Sequence, residues 1–215
     1  MKTRLIGDLT PSEAAGLHKS FLDDLLDRLR RGSFDLRLAW ALEDGEDVPA
    51  GPLPGVRQRG ADLGARLYNA LAEAAAAPSV DAGGPEVGVA ALGSDHPTLP
   101  LDLVHRAFER LEAGAPVVLG PAEDGGYYLI AVRAGALSPR LFEGIAWSTP
   151  AVLSTTLERC RELGITPELL PVAADVDTPA DLARLAAEMA EGDLGCPRTR
   201  ALLVSWGRIA AKGAA

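Results

Sequence analysis

The chain has 215 residues, 47% of them hydrophobic, enough for one sizeable core of the kind found in a single α/β domain. A net charge of −9 argues against a nucleic-acid or anionic-membrane surface, but it permits a nucleotide held through a divalent cation between carboxylates and phosphates. Apolar runs fall short of the roughly 18 residues of a membrane span and no signal-peptide core is present, so a cytoplasmic protein is expected. Cys160 and Cys196 lack metal-site spacing and do not suggest a disulfide scaffold; Cys160 is expected in a helix core.

In chain order, Thr10-Pro-Ser-Glu13 fits a capping box, and the stripe Ala14, Leu17, Phe21, Leu25 and Leu29 carries a helix to about Arg31. Phe34 to Leu42 reads as a strand, Glu43 to Pro54 as an exposed loop, and Leu63 to Ala77 as a helix closed by Pro78 and Gly83-Gly-Pro85. A buried strand follows at Val87 to Leu92, ending in Gly93-Ser-Asp-His-Pro97. Pro100 opens a helix through Leu111, and strands at 116–119 and Tyr127–Val132 flank a Gly-rich turn. Pro150 starts another helix, Leu169 to Val172 a short strand, and Thr178-Pro-Ala-Asp181 repeats the capping signature. Leu202, Leu203, Trp206 and Ile209 suggest a terminal helix, with fraying after Lys212. Alternating strands and helices predict a three-layer α/β/α sandwich with a mainly parallel sheet, organised as a domain over 1–192 and a helical extension over 193–215.

Three strand-like runs end in acidic turns, carrying Asp95, the Glu123-Asp124 pair, and Asp175 with Asp177. In an open α/β sheet, ligands gather at the carboxyl ends of the strands, which makes Asp95 the leading metal ligand, with an ordinary turn aspartate as the alternative. With these loops in place the chain resembles the DUF2064 family of nucleotide-diphospho-sugar transferases, some of whose members are named as arsenosugar-biosynthesis glycosyltransferases. The resemblance covers nearly all of residues 2–190. It rests on Lys2-Thr-Arg-Leu5, Leu9-Thr-Pro11, Gln58 with Asp62-Leu-Gly64, Gly93-Ser-Asp95 with Pro97, Gly120-Pro121, Glu123-Asp-Gly-Gly-Tyr-Tyr-Leu129, Trp147-Ser-Thr149, and Asp175-Val-Asp-Thr-Pro179 with Asp181-Leu182. It implies a GT-A-like fold. His96 departs from the small or acidic residue expected there. Family members usually carry a further strand and a Pro-Gly turn before the Lys-Thr-Arg-Leu segment, so a first strand is expected to be missing, through either a late start codon or loss of part of the nucleotide pocket.

The resemblance gives each candidate a role to set beside its ordinary one. Mg²⁺ or Mn²⁺ on a diphosphate suits one or two carboxylates, here Asp95 with Asp177 or Asp175; strand alternation puts the latter two on one face, and Thr178 already explains the helix cap. Lys2 and Arg4 bring positive charge to the nucleotide loop, or form a solvated terminus. Gln58, Asp62 and Gly64 stand where helix amides could meet a phosphate or base, although Asp62 as an N-cap explains itself equally well. Asp124 could orient or deprotonate an acceptor hydroxyl, with Glu123, Gly125 and Gly126 in the same loop, or the loop could be a plain hairpin turn. Trp147, Ser148 and Thr149 could wall an acceptor pocket, with Trp147 alone more typical of core. His18 and His105 lie on predicted helices without ligand spacing and receive no function.

The expected activity is metal-dependent transfer of a sugar from a nucleotide-diphospho-sugar to a small-molecule acceptor, with no nucleic-acid or membrane partner. The alternatives are a nucleotidyltransferase acting on a phosphorylated small molecule, and a noncatalytic nucleotide-binding remnant.

Overall fold

The computed structural model describes residues 3–77 and 88–210. Lys2, Pro78, Gly83-Gly-Pro85, Val87 and the tail after 210 lie outside the described residues. The helices are α1 (Pro11–Leu29), α2 (Leu63–Ala76), α3 (Leu101–Glu112), α4 (Val152–Glu162), α5 (Pro179–Glu191) and α6 (Pro197–Ser205). The strands are β1 (Leu38–Trp40), β2 (Gly55–Arg57), β3 (Gly88–Leu92), β4 (Val117–Pro121), β5 (Tyr127–Arg133) and β6 (Glu168–Leu169). Among the described residues no helix is long and apolar enough to cross a membrane.

The chain falls into two compact units: residues 1–33, 93–101 and 173–215 form one, and 34–92 with 102–172 form the other. In the first, α1 starts with the expected capping box: Glu13 N donates to the Thr10 hydroxyl oxygen at 3.2 Å, and the Glu13 carboxylate accepts the Thr10 amide at 2.8 Å. Its apolar stripe, Leu17 and Phe21 at 0% exposure, packs with Leu182, Leu185 and Met189 of α5 and Leu203 of α6. Each such leucine contributes about 1.5–3 kcal/mol by leaving water. The predicted terminal helix exists but stops at Ser205; Ile209 lies beyond it and is nevertheless buried in the same core. Cys196 offers no cap oxygen to α6, so Asp24 of α1 supplies one from a distance: its carboxylate accepts the amides of Arg198 at 3.1 Å and Thr199 at 2.8 Å.

In the second unit, β1 and β2 form a parallel pair, Ala39 opposite Val56, and β3, β5, β4 and β6 form a four-stranded sheet in that order. The α/β class and its similarity to transferase folds stand. The mainly parallel sheet narrows to a mixed one: β5 runs antiparallel to both β3 and β4, while β4–β6 is parallel. The reason is local. Only five residues, 122–126, join β4 to β5, far too few for a crossover, so the strands must form a hairpin. The strand expected over Phe34–Leu42 shortens to three residues, and that over 169–172 begins one residue earlier and ends at Leu169. Val89, Val117, Leu119, Ile130 and Val132 from the sheet pack with Leu71 of α2 and Cys160 of α4, which confirms Cys160 as core. Strand β5 is buried from Tyr128 to Val132, explaining its unbroken apolar run.

Candidate functional site

In the first unit, the turn Gly93-Ser-Asp-His-Pro97 is held mainly through its backbone. Val176 N donates to the Asp95 carbonyl at 3.3 Å, Cys196 Sγ donates to the Pro97 carbonyl at 3.0 Å, and Arg28 donates to the carbonyls of Thr98 and Leu99. His96 is 5% exposed, and its Nδ1 lies 3.0 Å from the Ala174 carbonyl. A carbonyl only accepts, so Nδ1 carries the proton, and the imidazole ties this turn to the segment holding Asp175. The departure at His96 is therefore structural: a small side chain could not reach that carbonyl. The Asp95 side chain is 42% exposed, and its Oδ1 lies 3.9 Å from His18 Nε2, which is also 2.8 Å from Ser94 Oγ.

Along the segment leading into α5, Asp175 is buried at 8% exposure while Asp177 is half-buried, and each places a carboxylate oxygen within 4.8 Å of the other's. Asp95 does not share that cluster. Thr178 caps α5 and Asp181 completes the box, accepting the Thr178 amide at 2.8 Å and the Asp177 amide at 3.2 Å. Partial burial alone would raise the Asp181 carboxyl, but the Thr178 hydroxyl, these two amides and Arg184 outweigh it and hold the pKa below the usual aspartate range. Capping thus falls to Thr178 and Asp181, and the Asp177 carboxylate faces Arg4 Nη1 at 3.5 Å instead. Two hard oxygen donors at this spacing fit one Mg²⁺ or Mn²⁺ once they draw in to about 2.1 Å each, with positions left for phosphate and water.

In the second unit, Asp124 sits at the tip of the β4–β5 hairpin, the plain-turn alternative of the sequence reading. Its Oδ1 accepts the Gly126 amide at 2.8 Å, and Gly125 N donates to the Ala122 carbonyl at 3.2 Å. Gly125 has φ 87°, and a Cβ there would come 2.3 Å from the Pro150 carbonyl oxygen, so both backbone and space demand glycine. Its carbonyl accepts Leu153 N at 2.9 Å, fixing the hairpin tip to the start of α4. Glu123 is exposed beside it.

Trp147 is half-buried and meets Tyr127 edge-on at 6.4 Å. Ser148 is exposed with φ 62°, alone among the described non-glycine residues in being left-handed. Thr149 locks the turn, its hydroxyl donating to the Ala146 carbonyl at 2.7 Å. On the remaining loop, Gln58 extends the β1–β2 pair, its amide side chain donating to the Ala39 carbonyl at 2.8 Å. Asp62 caps α2 by accepting Ala65 N at 2.8 Å. Gly64 is buried where a Cβ would lie 2.5 Å from the Phe142 carbonyl oxygen and 3.0 Å from the Trp147 indole nitrogen, which accounts for glycine through packing. Sequence reasoning missed His18 and Ser94 as a pair: they are 76 positions apart, and no periodicity links a helix face to a distant turn.

A family model described as an uncharacterized protein conserved in bacteria, DUF2064, matches residues 25–149. A crystal structure of a "putative nucleotide-diphospho-sugar transferase" from Desulfovibrio desulfuricans G20 is 33% identical, with a TM-score of 0.83 over 95% of this chain and 88% of that one. The structure of a CMP:2-keto-3-deoxy-manno-octonic acid synthetase complexed with CTP shares the fold at 18% identity and a TM-score of 0.51, over 80% of this chain and 88% of the other. No curated protein matches the sequence. The family match over more than half the length, together with 33% identity along nearly the whole chain, carries the sequence-level resemblance to its conclusion: this protein belongs to the DUF2064 family.

Proposed function

We propose that this chain is a metal-dependent glycosyltransferase that moves a sugar from a nucleotide-diphospho-sugar to a small-molecule acceptor. The observation that carries this reading is the Asp175–Asp177 pair, whose carboxylate oxygens lie within 4.8 Å of one another beside Arg4, in a chain 33% identical to a protein described as a "putative nucleotide-diphospho-sugar transferase". Asp175 and Asp177 would hold Mg²⁺ or Mn²⁺, with Asp95 contributing through a water. The ion, when bound, neutralises charge on the leaving diphosphate. Lys2 and Arg4 add positive charge for the same anion, and Gln58 belongs to the nucleotide side with the amides at the start of α2, where Asp62 caps the helix and Gly64 packs. Glu123, Gly125, Gly126, Trp147, Ser148 and Thr149 belong to the acceptor side. Asp124 takes the proton of the acceptor hydroxyl as its oxygen bonds to the sugar carbon and the bond from that carbon to the diphosphate oxygen breaks, releasing the nucleoside diphosphate.

Titration calorimetry with UDP, GDP, CDP and ADP tests the metal role. At least one should bind in Mg²⁺, lose affinity in EDTA, and bind about tenfold or more weakly to Asp177→Ala. Equal affinity in chelator would overturn it. A nucleotidyltransferase, the alternative favoured by the Asp175-Val-Asp-Thr-Pro179 segment, would release pyrophosphate rather than a nucleoside diphosphate, and a noncatalytic remnant would release neither.

A further inference from the structure

Sequence spacing gives His18 no role, yet its Nε2 is 2.8 Å from Ser94 Oγ and 3.9 Å from Asp95 Oδ1. It projects from the middle of α1 to the turn leaving β3, and both residues it reaches belong to that turn. The two distances together select a tautomer. A carboxylate oxygen repels a nitrogen lone pair and attracts an N–H, so the Asp95 oxygen favours the proton on Nε2. Nε2–H then donates to Ser94 Oγ. A serine oxygen that has accepted this bond has its own O–H left to turn outward as a donor.

We propose that His18 is a positioning residue, orienting the Ser94 hydroxyl to donate to a diphosphate oxygen of the donor substrate. This rests on the reading of the site as one that binds a nucleotide diphosphate, and it adds a specificity element for the diphosphate. The backbone of the turn is already fixed by Val176, His96 and Cys196, so the His18 bond governs the direction of one hydroxyl rather than the course of the chain.

The test uses inorganic pyrophosphate in Mg²⁺ as the probe, titrated calorimetrically into the whole protein. His18→Ala and Ser94→Ala should each weaken binding by about tenfold, the scale of one hydrogen bond to a charged group. The double variant should be no weaker than either single one, because both remove the same bond. His18→Gln, whose side-chain amide can donate in place of Nε2, should recover most of the loss, and thermal melts check that each variant folds. Losses that multiply in the double variant, or unchanged binding in Ser94→Ala, would overturn the proposal while leaving the diphosphate site standing. A wild-type protein that takes up no pyrophosphate would overturn the site reading, and this inference with it.

Discussion

At Asp124 the turn and the proposed chemistry use different properties of one carboxylate. The turn needs an acceptor at Oδ1 for the Gly126 amide, and an asparagine oxygen supplies it equally well. Proton transfer needs the charge and basicity that an amide lacks. Asp124→Asn should therefore keep the wild-type melting temperature and nucleotide affinity while turnover falls by roughly 10²-fold. Steady-state kinetics with the physiological acceptor check this, and normal turnover would reduce Asp124 to a turn residue. Neighbouring candidates show how far a residue type alone carries. Asp62 could have been a phosphate-side group or an N-cap, and the Ala65 amide at 2.8 Å shows it to be a cap. Gly64 invited a ligand-facing reading, but the Phe142 carbonyl and Trp147 already require a residue without a side chain.

Helix α5 was legible because its signals are local: Thr178, Pro179 and Asp181 lie within one turn and satisfy one another. The same box gives a pH dependence. Asp181 has a folded pKa below its ordinary 3.8, so its contribution to stability is fully present above pH 3.8 and is lost as pH falls through the lowered folded value. Melting temperatures measured from pH 6 down to pH 2 should drop more steeply below pH 4 for the wild type than for Asp181→Asn, which cannot titrate there. Parallel curves would remove Asp181 from the acid limb. Helix α6 is the opposite case. Its carboxylate cap comes from Asp24 on α1, 174 residues before Arg198, so nothing near Pro197 announces it. The β4–β5 hairpin falls between the two: both strands were visible as apolar runs, whereas their antiparallel pairing depends on the short connection and on Gly125 packing against Pro150.

Across the molecule the acidic balance, net −9, disfavours a bare polyanion, and chelation is therefore the solution test of the proposed metal role. The alkaline limb of stability belongs to the core. Tyr128 is fully buried with its hydroxyl donating to the Pro171 carbonyl at 3.1 Å, and burial, with a smaller push from Asp102, drives its pKa up to about 12. A raised folded pKa gives stability that is complete below the unfolded value of 10.0 and is lost as pH rises through the folded one. Tyr128→Phe should cost about 1 kcal/mol at pH 7 by leaving the carbonyl without its donor. Between pH 9 and 11 its urea midpoint should nevertheless fall less than that of the wild type, and equal falls would show that the tyrosine does not govern this limb. By itself the sequence determined the helices, the buried strands, the family and the three acidic turns, because period, caps and motif order act between residues close along the chain. Only the tertiary structure decided that β3 and β6 join the β4–β5 hairpin on opposite sides, that Asp95 faces His18, and that His96 ties its turn to the Ala174 carbonyl. Those facts depend on backbone carbonyls and side chains brought together from positions up to 78 residues apart, and no local pattern encodes such meetings.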